Sequence, residues 1–386
     1  MPVSPENWQT NGFGLYLHWP FCQAKCPYCD FNSHVTARID HDRWRSAYLA
    51  ELDRVAVETP DRVLSTVFLG GGTPSLMPAS LVDAILERVH RNWRCANDLE
   101  VTIEANPTSS EAERFAGYAT AGVNRLSLGV QALNDADLKA LGRLHSVDEA
   151  LRALDLARTS FERVSFDLIY ARQDQSLSDW RQELGRALSM KPSLLSLYQL
   201  TIEDGTAFGD RYARGRLRGL PDEDLGADLW EVTQSMTDAA GLPGYEISNH
   251  AAPGAEARHN LMYWRSGDWF GIGPGAHGRL TLDGARWSTE APRAPGAWLA
   301  AVEADEAIVE QRQELTAHQA QDERLLMGLR LRDGIPWNGN KYVLSNNISA
   351  LSSEGLLSTA NETLKLTAKG RPLLIVLKNS VLGPER

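Results

Sequence analysis

From Leu15 to Ala240 the chain repeats one pattern, a short apolar run, a polar or glycine-bearing end, and a stretch with apolar residues at helical spacing. The runs Leu15–Leu17, Ser65–Leu69, Leu99–Ile103, Asn124–Val130, Arg163–Phe166 and Leu194–Leu200 read as strands. Between and after them, Ile39–Glu58, Pro78–Trp93, Glu111–Ala121, Asp135–Arg158 (in two pieces), Leu177–Met190 and Asp222–Ala240 read as helices. Strand-then-helix units at intervals of roughly 35 residues call for parallel strands joined by right-handed crossovers. Six units fall short of the eight that close a full barrel. The expectation is an α/β fold, an incomplete (β/α)6 TIM-like barrel.

The polar residues of that pattern gather at one end of the strands: Gly71, Glu104, Gln131 and Asp167 each follow an apolar run. In parallel α/β folds the carboxyl ends of the strands form the ligand face. Any one of these groups could instead cap the next helix. Together they argue for one site. The loop after the first run adds three of the chain's four cysteines, Cys22, Cys26 and Cys29, spaced C-x3-C-x2-C; the fourth is Cys95. Thiolates this close are metal ligands more often than packing groups, and soft sulfur sets select iron–sulfur clusters or zinc. With Phe31 where a fourth sulfur could stand, a cluster held here keeps one iron open. A Cys3His zinc site, with His18 or His34 as fourth ligand, and a disulfide stay open on spacing alone. A formal charge of −11 argues against a general nucleic-acid binder. The N-terminus MPVSPENWQTNG carries no basic-then-apolar leader, and no apolar run nears the roughly 20 residues of a membrane span. A reducing cytoplasm is expected.

The segment YLHWPFC…CPYCDF resembles the radical S-adenosylmethionine (radical SAM) superfamily. Within it, it resembles the branch that holds oxygen-independent coproporphyrinogen III dehydrogenases and the HemW-like heme chaperones. The resemblance implies the partial barrel, and a [4Fe–4S] cluster on Cys22, Cys26 and Cys29 whose open iron is chelated by S-adenosylmethionine. Matched residue by residue, it implies S-adenosylmethionine contacts from Tyr16, Gly71, Gly72, Thr73, Glu104, Gln131, Arg143 and Asp167. Further on, HNLMYW matches the HNxxYW pattern of the HemW-like proteins and marks His259 as a heme ligand.

The same comparison divides the chain into a radical SAM core over 1–250, a heme-associated segment and linker over 251–300, and a C-terminal domain over 301–386. Gly244–His250 reads as a further strand and Pro292–Gly296 as a linker. Thr316–Arg332 and Val343–Leu356 read as helices, and Leu357–Thr367 as a hairpin around Asn361. These resemble a small α+β, winged-helix-like unit, and the short apolar Pro372–Leu377 ends the chain.

Two functions share this site. One is an enzyme that uses reductive cleavage of S-adenosylmethionine to decarboxylate a porphyrinogen. The other is a carrier that binds heme and passes it to an acceptor protein. Three features favour the carrier: Phe31 in place of the dehydrogenases' further cysteine, fifteen residues before Tyr16 where those enzymes carry a long covering arm, and HNLMYW. The expectation is heme binding and transfer without coproporphyrinogen dehydrogenase activity and with no catalytic residue assigned. Cleavage of S-adenosylmethionine is left open, and a homodimer is allowed.

Overall fold

A computed structural model describes residues 7–305, 308–337 and 345–374. Strands β1 (Phe13–Trp19), β2 (Val63–Gly71), β3 (Arg94–Ala105), β4 (Arg125–Gln131), β5 (Arg163–Tyr170) and β6 (Leu194–Gln199) follow one another in space as in sequence, all parallel. Helices α1 (His41–Glu58), α2 (Ala79–Asn92), α3 (Val147–Ser160), α4 (Leu177–Ser189), α5 (Ala207–Ala213) and α6 (Glu223–Ala239) lie among the connections. All of these except α2 start at a side-chain cap. Asp40 accepts from the Arg43 N–H, Ser146 and Glu149 form a reciprocal capping box, and Asp222 accepts from the Leu225 N–H. α1 buries Trp44, Tyr48, Leu52 and Val55, at the spacing that keeps them on one face.

The sheet goes beyond the six strands expected. β7 (Asn249–Ala251) pairs antiparallel with β6; it is the short remnant of the strand read over Gly244–His250. β8 (Asp268–Ile272) pairs parallel with β1 on its other side. β9 (His277–Leu282), β10 (Ala285–Glu290) and β11 (Gln311–Glu314) extend that edge as an antiparallel meander. The order is β11-β10-β9-β8-β1-β2-β3-β4-β5-β6-β7. β8 holds its place through Asp268, fully buried between Arg62 Nη1 at 2.7 Å and Arg286 Nη1 at 2.6 Å.

Other boundaries move for local reasons. The helix read over Glu111–Ala121 is two short turns, Ser109–Ala112 and Phe115–Thr120. The Arg163–Phe166 strand runs on to Tyr170, so Asp167 sits within it rather than at its end. The Pro292–Gly296 segment is no linker, because Pro295 opens α8 (Pro295–Glu303), a position where proline's missing N–H costs nothing. Trp298 on α8 is fully buried, 5.5 Å from the Trp44 ring and 5.3 Å from Tyr48.

A second, separate core belongs to the C-terminal unit. Leu325 and Leu329 pack there with Ile335, Ile348, Leu351 and Leu364. It comprises α9 (Ala317–Gly328), α10 (Ser345–Ser353) and a small antiparallel sheet of Ile335–Pro336, Thr363–Leu366 and Leu357–Ser358, with Asn361 at positive φ in the hairpin. The first residues of the helix read over Val343–Leu356, and the end of Pro372–Leu377, lie outside the described residues. Among the described residues no helix is long and apolar enough to cross a membrane.

Candidate functional site

β1 stops at Pro20, and Phe21–Cys22 then pairs in parallel with His34–Val35, which closes residues 23–33 into a loop carrying Cys26 and Cys29. Three clasps hold that loop. His18 Nε2 bonds the Asn32 carbonyl at 2.8 Å, Asn32 Nδ2 donates to the carbonyls of Pro274 and Arg293 at 2.9 Å each, and the Phe208 N–H of α5 donates to the Pro27 carbonyl at 2.8 Å. All three thiols are free and half-buried. Burial pushes the Cys22 and Cys29 thiols above the usual range. Cys95 is elsewhere, near the N-terminal end of β3 opposite Leu64. Both His18 nitrogens are engaged, Nδ1 by the Tyr16 hydroxyl at 2.8 Å, and His34 Nε2 faces Asn32 Oδ1 at 3.2 Å. Among the described residues no group of three or more His, Cys, Asp or Glu is arranged to hold a single metal ion.

The strand ends meet the loop. Gly71, at φ +112°, tolerates no side chain, since a Cβ there would lie 2.9 Å from the Trp19 carbonyl; on Gly72 it would lie 3.1 Å from Cys22 Sγ. Glu104 Oε2 accepts from the Gly71 N–H at 3.2 Å. Thr73 Oγ1 donates to Cys22 Sγ at 3.2 Å, and Arg143 Nη1 donates to Cys26 Sγ at 3.3 Å. Arg143 is half-buried rather than solvated, held also by the Gly129 carbonyl at 2.8 Å. Gln131 closes β4 at φ +76°, an uncommon conformation for a residue with a side chain, and its buried Oε1 has no partner among the described residues. Tyr16, on β1, is stacked on Phe68 of β2 at 6.0 Å.

Inside the strands lies a cavity of about 130 Å³ lined by Glu104, Asp167, Ser127, Ser165, Ser196 and His259 among others. Burial, reinforced by the Asp167 charge, pushes Glu104 up to about 8; burial also pushes Asp167 up to about 6, against hydrogen bonds from Ser196 and Ser127. His259 belongs to the far end of this cavity. It sits on α7 (Arg258–Trp264), with Nδ1 on Glu100 Oε1 at 2.9 Å and its ring 4.2 Å from Phe68. Glu100 pairs with Thr66, whose own partner is Gly14 near the start of β1, whereas Glu104 stands at the level of His18 near its end. Four residues of strand, roughly 13 Å, therefore separate the two levels. His259 thus lies well below the level of the cysteine loop, and it is only 6% exposed.

Two further residues enter the site. Tyr28, between Cys26 and Cys29, packs on Phe208 and faces Arg143 and Cys26; burial holds its phenol well above the usual range. Asn106 bonds Thr73 Oγ1 through Nδ2 at 3.2 Å and accepts from Arg143 Nη2 through Oδ1. Its only sequence signal was its place two residues after Glu104, in EANP.

A family model described as the radical SAM superfamily matches residues 16–184. The heme chaperone HemW of Escherichia coli (strain K12) is 43% identical over 274 residues, covering 70% of this chain and 71% of that one. The heme chaperone HemW of Mycobacterium tuberculosis (strain ATCC 25618 / H37Rv) is 37% identical over 375 residues, covering 96% and 95%. The chain belongs to the radical SAM superfamily, in its HemW family. Among solved structures, the radical SAM enzyme coproporphyrinogen III oxidase (HemN) of Escherichia coli shares the fold, with a TM-score of 0.78 at 20% identity over 95% of this chain and 89% of that one.

The radical SAM site fits its expected cofactors on its own observations. Three soft donors on one clasped loop suit a cluster, and the unpartnered Gln131 Oε1 and the buried Glu104 carboxyl beside Asp167 suit a cationic ligand. Cys22, Cys26 and Cys29 would hold a [4Fe–4S] cluster, with Gly71, Gly72, Glu104, Gln131, Arg143 and Asp167 around S-adenosylmethionine. When bound, that pair supplies one-electron chemistry at a sulfonium.

Proposed function

We propose that the chain is a heme chaperone, binding heme and passing it to an acceptor protein, with the cluster and S-adenosylmethionine as resident parts of its site. The observation that carries this reading is the match to HemW heme chaperones along almost the whole chain, C-terminal unit included. The chain's own residues act as binder and positioner. Glu100 accepts the Nδ1 proton of His259, whose pKa burial lowers, so the ring is neutral and Nε2 keeps the lone pair a heme iron needs. The cavity above it is smaller than the roughly 300–1,000 Å³ of cofactor-sized pockets. Heme at His259 therefore needs more room than the closed cavity gives.

The test is a hemin titration of the anaerobically reconstituted protein, followed by its Soret band and by transfer to an apo-hemoprotein. His259→Ala is expected to weaken heme uptake at least tenfold with the cluster spectrum intact; an unchanged titration would remove His259 from the site. Cys22→Ser is expected to abolish iron–sulfur absorbance, and zinc instead of iron in the wild type would refute the cluster. Conversion of coproporphyrinogen in the presence of reductant and S-adenosylmethionine would establish the enzyme reading instead.

A further inference from the structure

The hydrogen bonds that Thr73 gives Cys22 and Arg143 gives Cys26 both run back to one side chain. Asn106 has its backbone N–H on Glu111 Oε2 at 2.9 Å, and Pro107 follows it, so its position is set by the main chain. Its amide faces two different groups. Arg143 can only donate, so the atom turned to Nη2 is Oδ1; Nδ2 then meets Thr73 Oγ1 at 3.2 Å. That second bond occupies a lone pair of the Thr73 hydroxyl and leaves its hydrogen for Cys22 Sγ, 3.2 Å away. The first bond, with the Gly129 carbonyl at 2.8 Å, fixes the guanidinium so that Nη1 points at Cys26 Sγ at 3.3 Å. Cys29 has no such donor through this chain of contacts.

We infer that Asn106 is the positioning residue of the cluster site, orienting Thr73 and Arg143 so that Cys22 and Cys26 each receive a hydrogen bond and the cluster potential is raised. The physical ground is general: donors to ligand sulfur favour the more negative, reduced state, and cluster potentials follow such bonds. Asn106 touches no thiol itself. It acts through Thr73 and Arg143, and it rests on the cluster assignment made above.

The experiment is a potentiometric titration of the reconstituted cluster, read by electron paramagnetic resonance, in wild type, Asn106→Leu, Asn106→Asp and Thr73→Val. Iron and sulfide per chain are measured on each sample. Asn106→Leu is expected to keep the cluster and shift its midpoint to lower potential, with Thr73→Val giving part of that shift. In the double variant the shifts sum to less than their separate values. Should Asn106→Leu not assemble a cluster, Asn106→Asp still decides, because it keeps the Arg143 acceptor but cannot donate to Thr73 and so also lowers the potential. A full cluster at the wild-type potential in either variant overturns the assignment. Wild-type protein holding no iron–sulfur cluster would instead overturn the reading on which it rests.

Discussion

Glu100 and Glu104 stand four residues apart on β3 and hold their protons in opposite ways. Burial alone would raise both. At Glu100, hydrogen bonds from His259 and from the Arg258 N–H, with the Arg125 guanidinium, outweigh burial and bring the carboxyl down to about 2. Glu104 has only the Gly71 N–H against burial and the Asp167 charge, and ends near 8. The sign of the consequence follows from linkage. A carboxyl raised on folding binds more protons in the native state between about 4.5 and 8, so its contribution is complete below that window and lost as pH rises through it. Unloaded wild-type protein should therefore lose stability, on the order of a few kcal/mol, between pH 5 and pH 8 relative to Glu104→Gln. Denaturant titrations at both pH values measure it, and parallel curves for the two proteins would refute it. Single residues were legible where chemistry announced itself. The cysteines, the glycine run and Glu104 carry signals of spacing and strand-end position. Asn106 carries only its place after Glu104 and Tyr28 only its place between two cysteines, because an amide or a phenol becomes part of a site through what the fold sets beside it.

At the scale of elements, the alternation of apolar run and helix made β1 to β6 readable, since each of those strands is followed by a helical segment before the next. β8 was not readable. It lies within the glycine-rich run that continues to Gly278, and its close packing needs those glycines: a Cβ on Gly271 would lie 2.3 Å from the His277 carbonyl. α8 was hidden by the opposite error, since Pro292, Pro295 and Gly296 are breakers by composition while Trp298, Leu299 and Val302 behind them are buried. Trp298 anchors α8 to α1, and through Tyr48, whose hydroxyl donates to the His18 carbonyl, to the strand leading into the cysteine loop. Trp298→Ala should cost about 3–5 kcal/mol of stability. A loss below about 1 kcal/mol in denaturant titration would show that α8 is loosely attached.

On the scale of the molecule, the C-terminal unit has its own core yet is tied to the barrel at a few points. The guanidinium of Arg330 covers Trp264 of α7 at 4.4 Å and bonds Glu246 Oε2 at 3.0 Å; the Arg332 N–H donates to the Tyr245 carbonyl at 2.9 Å, and Arg371 Nη2 to the Glu246 carbonyl at 2.7 Å. Glu246 is fully buried, so its bonds to a guanidinium are among the stronger ones, about 1.5–3 kcal/mol. Arg330→Ala should leave iron content unchanged while speeding hydrogen exchange over Tyr245, Glu246 and α7. Exchange at the wild-type rate in α7 would separate the C-terminal unit from the helix beneath the lumen.

β1 carries the chain's opening turn into the thiols, yet one of its two flanks is supplied by β8, which the ribosome delivers some 250 residues later. Until then a row of unmet amides and carbonyls faces water beside the sulfurs, a template for pairing with a stranger. A fragment ending at residue 250 would hold all three thiols and their strand-end companions and still be a sticky, half-finished sheet. Nascent chains thus gain a sealed centre only after Ile272 has been made.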